Sequence, residues 1–204
     1  MVDPAVSSLI LASSSTIRQK LLAGAGLQFS IVPPTVDEAA FRAELESAGV
    51  TEPADIAVAL AEAKAREVSV RSPGAHVIGA DQVLALGDRV LTKAQDTHDA
   101  RQLLMLLRDR WHTLISALAI ARNGETTWRH VAYAELHVRG YSDEWLEHYL
   151  RTAGDALTKS VGAYRLEEIG VQLFDETKGD YFVVLGLPII ALLNRLRTVG
   201  MLTA

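Results

Sequence analysis

The 204-residue chain lacks cysteine altogether. That excludes a disulfide framework, a thiolate zinc site and a cysteine nucleophile, and it accords with a reducing compartment. An excess of positive charge is also missing. Twenty Lys and Arg stand against 25 Asp and Glu, a formal net charge of −5. A DNA or RNA polymer is therefore not the expected partner, because a phosphate backbone requires clustered Lys and Arg. A small anionic ligand needs only a local basic pocket and stays open. No run of about 18 apolar residues occurs, so no membrane partner is expected. The opening Met1-Val2-Asp3-Pro4 has no basic n-region, and a cytoplasmic location follows as the expectation. What remains is an ordinary globular composition, 49% apolar and 22% charged, read as one domain over residues 1–204.

Several familiar catalytic signatures are lacking too. Neither G-x-G-x-x-G nor G-x-S-x-G is present. Thr158-Lys159-Ser160 echoes the end of a P-loop, but Thr158 stands where the tight turn requires glycine. The six histidines (76, 98, 112, 130, 137 and 148) form no H-x-H or H-x-x-x-H pair, which argues against a His-built zinc site.

The local patterns predict an alternation of strands and helices. Leu9–Ala12 is a short apolar strand. Ser13 to Ser15 lead into a helix from Thr16 to Leu22, ended by Gly24 and Gly26, and Phe29–Val32 is a second strand, stopped by Pro33-Pro34. Asp37–Ala48 reads as a helix, and a longer one, with Thr51 as N-cap and Pro53 in its first turn, runs to Val70. His76–Ala80 is a strand that Asp81 closes, followed by a hairpin of Val83–Leu86 and Arg89–Leu91. A helix over Asp96–Arg108 precedes strands at Thr113–Arg122 and Thr126–Arg139, joined by Asn123-Gly124. Ser142 caps a helix to Arg151; Gly162–Phe174 and Tyr181–Leu185 are β-like; Pro188 opens a terminal helix to Val199. The pattern implies an α/β domain with a mixed sheet.

Hard oxygens and cations gather at the ends of these elements. Ser13 and Ser15 precede a helix N-terminus, which offers free N–H groups and a positive dipole to an anion. Arg18, Lys64, Lys93 and Lys159 can neutralise phosphate oxygens. Glu38 and Asp81 can hold a hydrated Mg²⁺, which favours one or two carboxylates plus phosphates, or a carboxylate can take a proton from water. Together these residues suggest a polyphosphate site, with both carboxylate roles open.

The same segments resemble the Maf family. Leu9 to Arg18 resembles its apolar strand followed by S-x-S-P-x-R; Val36-Asp37-Glu38 its V-D-E; Leu60 to Ala65 its L-A-x-x-K-A; Val77 to Gln82 its V-I-G-A-D-[TQ]. Arg110-Trp111-His112 resembles its R-x-H, and Gly179-Asp180-Tyr181 with Gly186-Leu187-Pro188 its G-D-Y and G-L-P ending. The resemblance implies a Maf/ITPase-like fold, with a central mixed, twisted β-sheet flanked by helices and two lobes around a cleft. It implies a divalent-metal-dependent (Mg²⁺ or Mn²⁺) nucleoside triphosphate pyrophosphatase, homodimeric and cytoplasmic, of a family first linked to inhibition of septum formation. Asp81 would be the catalytic acidic group, with Arg18, Glu38, Lys64 and Lys93 as the other core residues.

Ile17, Gln82 and Glu167 occupy the positions that separate the family's branches. Asp81-Gln82 with Glu167 resembles the 7-methyl-GTP branch rather than the dTTP/UTP branch. A carboxylate at Glu167 accepts from guanine N1–H and N2–H, and favours the positive methylated ring. Thymine or uracil would place a carbonyl against it. The departures are Thr16 for Pro, Ile17 for Arg or an aromatic residue, and Thr92 and Ala94 on either side of Lys93 where the family has G-K-P. A dTTP/UTP pyrophosphatase, and a nucleotide-binding regulator of division without turnover, stand as the alternatives.

Overall fold

The computed structural model describes residues 8–203. Met1 to Pro4, read above as lacking a basic leader, lie outside them. The chain runs β1 (Leu9–Ala12), α1 (Thr16–Gly24), β2 (Ser30–Ile31), α2 (Glu38–Ser47), α3 (Pro53–Arg71), β3 (His76–Leu86), β4 (Arg89–Leu91), α4 (Thr97–Leu107), β5 (Arg110–Arg122), β6 (Glu125–Val138), α5 (Asp143–Thr152), α6 (Ala156–Lys159), β7 (Phe174–Gly179), α7 (Tyr181–Val184) and α8 (Ile189–Thr198). All strands share one seven-stranded sheet in the order β2-β1-β3-β5-β6-β7, with β4 paired to β3. Pairing is parallel among β2, β1 and β3 and antiparallel from β3 onward, so the sheet is mixed as the patterns imply.

Local signals account for most boundaries. Ser15 caps α1 and Asp37 caps α2 through their side chains, supplying acceptors to first-turn N–H groups. Pro53 opens α3. The β5–β6 turn places Asn123 and Gly124 at φ 53° and 85°, the left-handed pair that matches strand twist.

Four expectations need correction. Asp81 does not end its strand: β3 continues unbroken to Leu86, because β5 pairs with it from Val77 to Ala85 and carries Asp81 and Gln82 as ladder residues. Glu52, not Thr51, precedes α3, and it makes no side-chain cap. Gly162–Phe174 is not β but a series of turns ending in a 3₁₀ helix, Ile169–Leu173; the strand that follows is the charged edge strand β7. Tyr181–Val184 is a helical turn, because Asp180 accepts from the Phe182 N–H at 2.9 Å and Gly186, at φ 83°, ends it.

α3 lies unusually close to β3. A Cβ on Gly79 would overlap the Ala61 carbonyl oxygen and meet Ala65. Small residues at Ala57, Ala61 and Ala65, all fully buried, let the helix backbone approach the sheet. Lys64, between two of them, is thereby lowered onto the sheet surface. No helix among the described residues is long and apolar enough to cross a membrane.

Candidate active site

The site lies at a break in one edge of β3. β1 pairs with β3 only from His76 to Gly79, and β4 only from Leu84 to Leu86. Because β5 covers the other edge, residues Ala80 to Val83 have a strand neighbour on one side alone. β1 is parallel to β3 and β4 antiparallel, so their C-terminal ends face each other across the break. The loops leaving those ends carry Ser13–Ser15 and Thr92–Lys93. Ligand sites outside the carboxyl ends of sheet strands follow this logic.

Asp81 sits in the break, buried. Its Oδ1 accepts from Lys64 Nζ at 2.7 Å, and the same Nζ lies 2.7 Å from Glu38 Oε1. Lys64 is only 6% exposed at its side chain, whereas Glu38 is 45% exposed. One ammonium thus bridges two carboxylates drawn from different elements. Burial pushes the Glu38 carboxyl up, but Lys64, Lys93 and Arg42 together hold it below the ordinary carboxylate value. Asp81 Oδ2 is buried and has no hydrogen-bond partner. A buried, unsatisfied oxygen is a functional signal, since such groups are otherwise paired.

Arg18 closes the adjoining side. Its Nε donates to the Gly186 carbonyl and its Nη1 to the Ala80 carbonyl, both at 2.9 Å, and Nη1 approaches Ser13 Oγ at 3.4 Å. The Ala80 carbonyl is available because β1 has already ended. Burial lowers the Arg18 pKa, while Asp81 and Glu38 oppose that by favouring the charged form.

The structure therefore brings together Arg18, Glu38, Lys64 and Asp81, with Lys93 close enough to act on Glu38 electrostatically. Ser13 is buried beside Arg18, and Ser15 caps α1. Ile17 is half-buried on α1. Gln82, the next residue of the ladder, points to the opposite face from Asp81. There its amide donates to Ser116 Oγ and the Val183 and Val184 carbonyls, each at 3.0 Å, tying β3 to α7. Lys159 is exposed and pairs with Asp155 at 2.9 Å. Glu167 is exposed in the turn after Tyr164. That turn is anchored by Tyr164 Oη, 2.6 Å from His112 Nε2, and by Tyr149 Oη donating to the Ala163 carbonyl at 3.0 Å.

One charged neighbour was not anticipated. Arg42, on α2 one turn beyond Glu38, places Nη2 3.7 Å from Asp81 Oδ2. Its i, i+4 spacing from Glu38 was the available signal.

The carboxylates suit a hard divalent ion in one respect. Asp81 Oδ2 is a free, buried oxygen beside Glu38, and an ion taking most of its ligands from phosphate and water needs no more than one or two such groups. The described residues hold no group of three or more His, Asp or Glu that would grip a metal alone.

A mixed sheet opened at one edge, with two carboxylates among four cations, defines an α/β protein built to handle a small polyanion. The chain belongs to the Maf family: the family model described as Maf-like protein matches residues 8–199. It is 50% identical to a nucleoside triphosphate pyrophosphatase of Caulobacter vibrioides, over 97% of this chain and 98% of that one. It is 46% identical to a 7-methyl-GTP pyrophosphatase of Rhizobium meliloti, over 96% and 98%. Among solved structures, a HAM1 protein from Coxiella burnetii overlays with TM-score 0.44 and 16% identity, covering 65% of this chain and 73% of that one.

Proposed function

We propose that the chain hydrolyses nucleoside triphosphates to the monophosphate and pyrophosphate, with 7-methyl-GTP as its favoured substrate. The carrying observation is Asp81 Oδ2: buried, without a hydrogen bond, and faced by the charges of Arg18, Arg42 and Lys64, with Lys93 acting on the neighbouring Glu38. Family membership and near-full-length relatives of that activity support the reaction.

Water attacks the α-phosphorus, the bond to the α–β bridging oxygen breaks, and the electron pair leaves on pyrophosphate. Asp81 Oδ2 orients the water and takes its proton. Lys64 keeps Asp81 and Glu38 together through its two 2.7 Å contacts. Arg18 and Lys93 supply positive potential to the phosphates, while Ser13 and Ser15 shape the loop at the α1 N-terminus. In the alternative role of Asp81 Oδ2, it and Glu38 would hold Mg²⁺ or Mn²⁺, which would draw charge from the phosphate oxygens and ease departure of pyrophosphate.

For the base, Glu167 supplies the acceptor pair for guanine N1–H and N2–H, with Ile17 beside Arg18 on α1 and Gln82 acting on the branch preference only through its hold on α7. Lys159, beside Asp155 on the surface, is a peripheral phosphate contact at most. The net charge of −5 favours free nucleotide over a nucleic-acid polymer, and the proposal includes a cytoplasmic homodimer, as the family resemblance implies. A panel of triphosphates with pyrophosphate readout, with and without Mg²⁺ or Mn²⁺, tests the whole reading. Asp81→Asn should lose at least about 10²–10³ in rate while remaining folded. A folded Asp81→Asn with wild-type turnover would refute it.

A further inference from the structure

We propose that Arg42 is a substrate residue, its guanidinium binding the pyrophosphate part of the triphosphate tail. This rests on the reading of the site as a triphosphate hydrolase, and it adds a residue that the local sequence pattern did not single out.

The first observation is an unused donor set. Arg18, Arg101, Arg108, Arg139, Arg165 and Arg195 are partly buried, and each donates at least one hydrogen bond. Arg42 is also partly buried, 21% exposed at its side chain, and among the described residues it donates none. None of its nitrogens is fully buried, so the fork keeps access to solvent while no protein acceptor occupies it, and five N–H donors stand free for a ligand.

The second observation is what Arg42 faces. Its Nη2 stands 3.7 Å from Asp81 Oδ2, too far for a hydrogen bond, and Oδ2 is itself buried and unpartnered. Two complementary groups are held apart rather than joined. The carboxylate oxygen can receive the proton of a water, and the guanidinium fork can receive phosphate oxygens, so the attacking water and the phosphate chain are addressed from one place.

The third is the charge balance. Lys64 is already shared between Glu38 and Asp81, and Arg18 is committed to the Ala80 and Gly186 carbonyls. The planar donor group that makes no hydrogen bond at the acidic centre is Arg42, whose charge only approaches Asp81 at 3.7 Å, and a guanidinium binds phosphate bidentately where an ammonium acts as a point charge. α2 fixes its aim, since Asp37 caps that helix and Glu38 and Arg42 share one face.

The test compares wild type with Arg42→Ala and Arg42→Lys. Steady-state kinetics should show kcat/KM lower by about 10²-fold in Arg42→Ala, with Arg42→Lys intermediate. Calorimetric titration, which needs no turnover, should show inorganic pyrophosphate binding weakened at least about tenfold in Arg42→Ala and guanosine monophosphate binding unchanged. Pyrophosphate affinity equal to wild type would overturn the assignment. So would an equal loss for pyrophosphate and monophosphate, which would mark Arg42 as a general positioning residue. If Arg42→Ala does not fold, Arg42→Lys carries both arms: full bidentate-level affinity in that variant overturns the proposal. Wild-type protein that releases no pyrophosphate from any triphosphate would sink the functional reading instead, and the titration would still decide Arg42.

Discussion

Lys64 and Asp81 meet at 2.7 Å because Gly79, two residues before Asp81, lets α3 rest directly on β3. The contact joins a helix residue and a strand residue 17 positions apart, and both are buried. Helix packing, not loop conformation, therefore sets the distance between the ammonium and the two carboxylates.

Gly79→Ala should disturb both stability and activity. The new methyl group would meet the Ala61 carbonyl and Ala65, so α3 must shift. Overpacking of this kind costs about 1–3 kcal/mol. Chemical denaturation reads the loss of stability, and pyrophosphate release reads the displacement of Lys64; a variant with unchanged values for both would contradict the packing argument.

Lys64→Met should destabilise the fold by about 3 kcal/mol, because it leaves Asp81 buried without its counter-ion. Glu38 is 45% exposed and can turn to water, so Asp81 bears most of the effect. A double-mutant cycle with Asp81→Asn should recover part of the loss, measured by urea unfolding.

His112 should make stability depend on pH. Burial pulls its pKa from 6.5 down to about 4, so the folded protein resists protonation that the unfolded chain accepts. Its contribution is constant above about pH 6.5 and is lost as pH falls from there toward 4. A shift of that size corresponds to about 3 kcal/mol. Urea unfolding of wild type and His112→Gln at pH 7 and pH 4.5 checks this: the variant should be weaker at pH 7, since its bond to Tyr164 changes, yet show a smaller fall with pH.

Glu167→Gln should reduce any preference for 7-methyl-GTP over UTP by about 1–3 kcal/mol, the scale of a bidentate base contact. Relative kcat/KM across the triphosphate panel decides it. Equal selectivity in both proteins would move base recognition away from Glu167.

Chain-local chemistry was legible from the residues alone. The Ser142 cap, Pro53 opening α3, the Asn123-Gly124 hairpin and the ordered motifs from Leu9 to Pro188 determined the α/β class, the mixed sheet and the candidates Arg18, Glu38, Lys64 and Asp81. Each depends on contacts within a few residues, or on a hydrophobic period that one segment carries by itself. Tertiary structure alone decided the rest. Asp81 stays in mid-strand because β5 pairs across it, and the open edge exists because β1 and β4 end where they do. Gln82 turns to α7 and away from Asp81 because successive strand residues face opposite sides. Arg42 reaches Asp81 only once α2 is laid beside the sheet. Strand endings and ion pairs between distant segments belong to the packed assembly, and no single stretch of sequence encodes them.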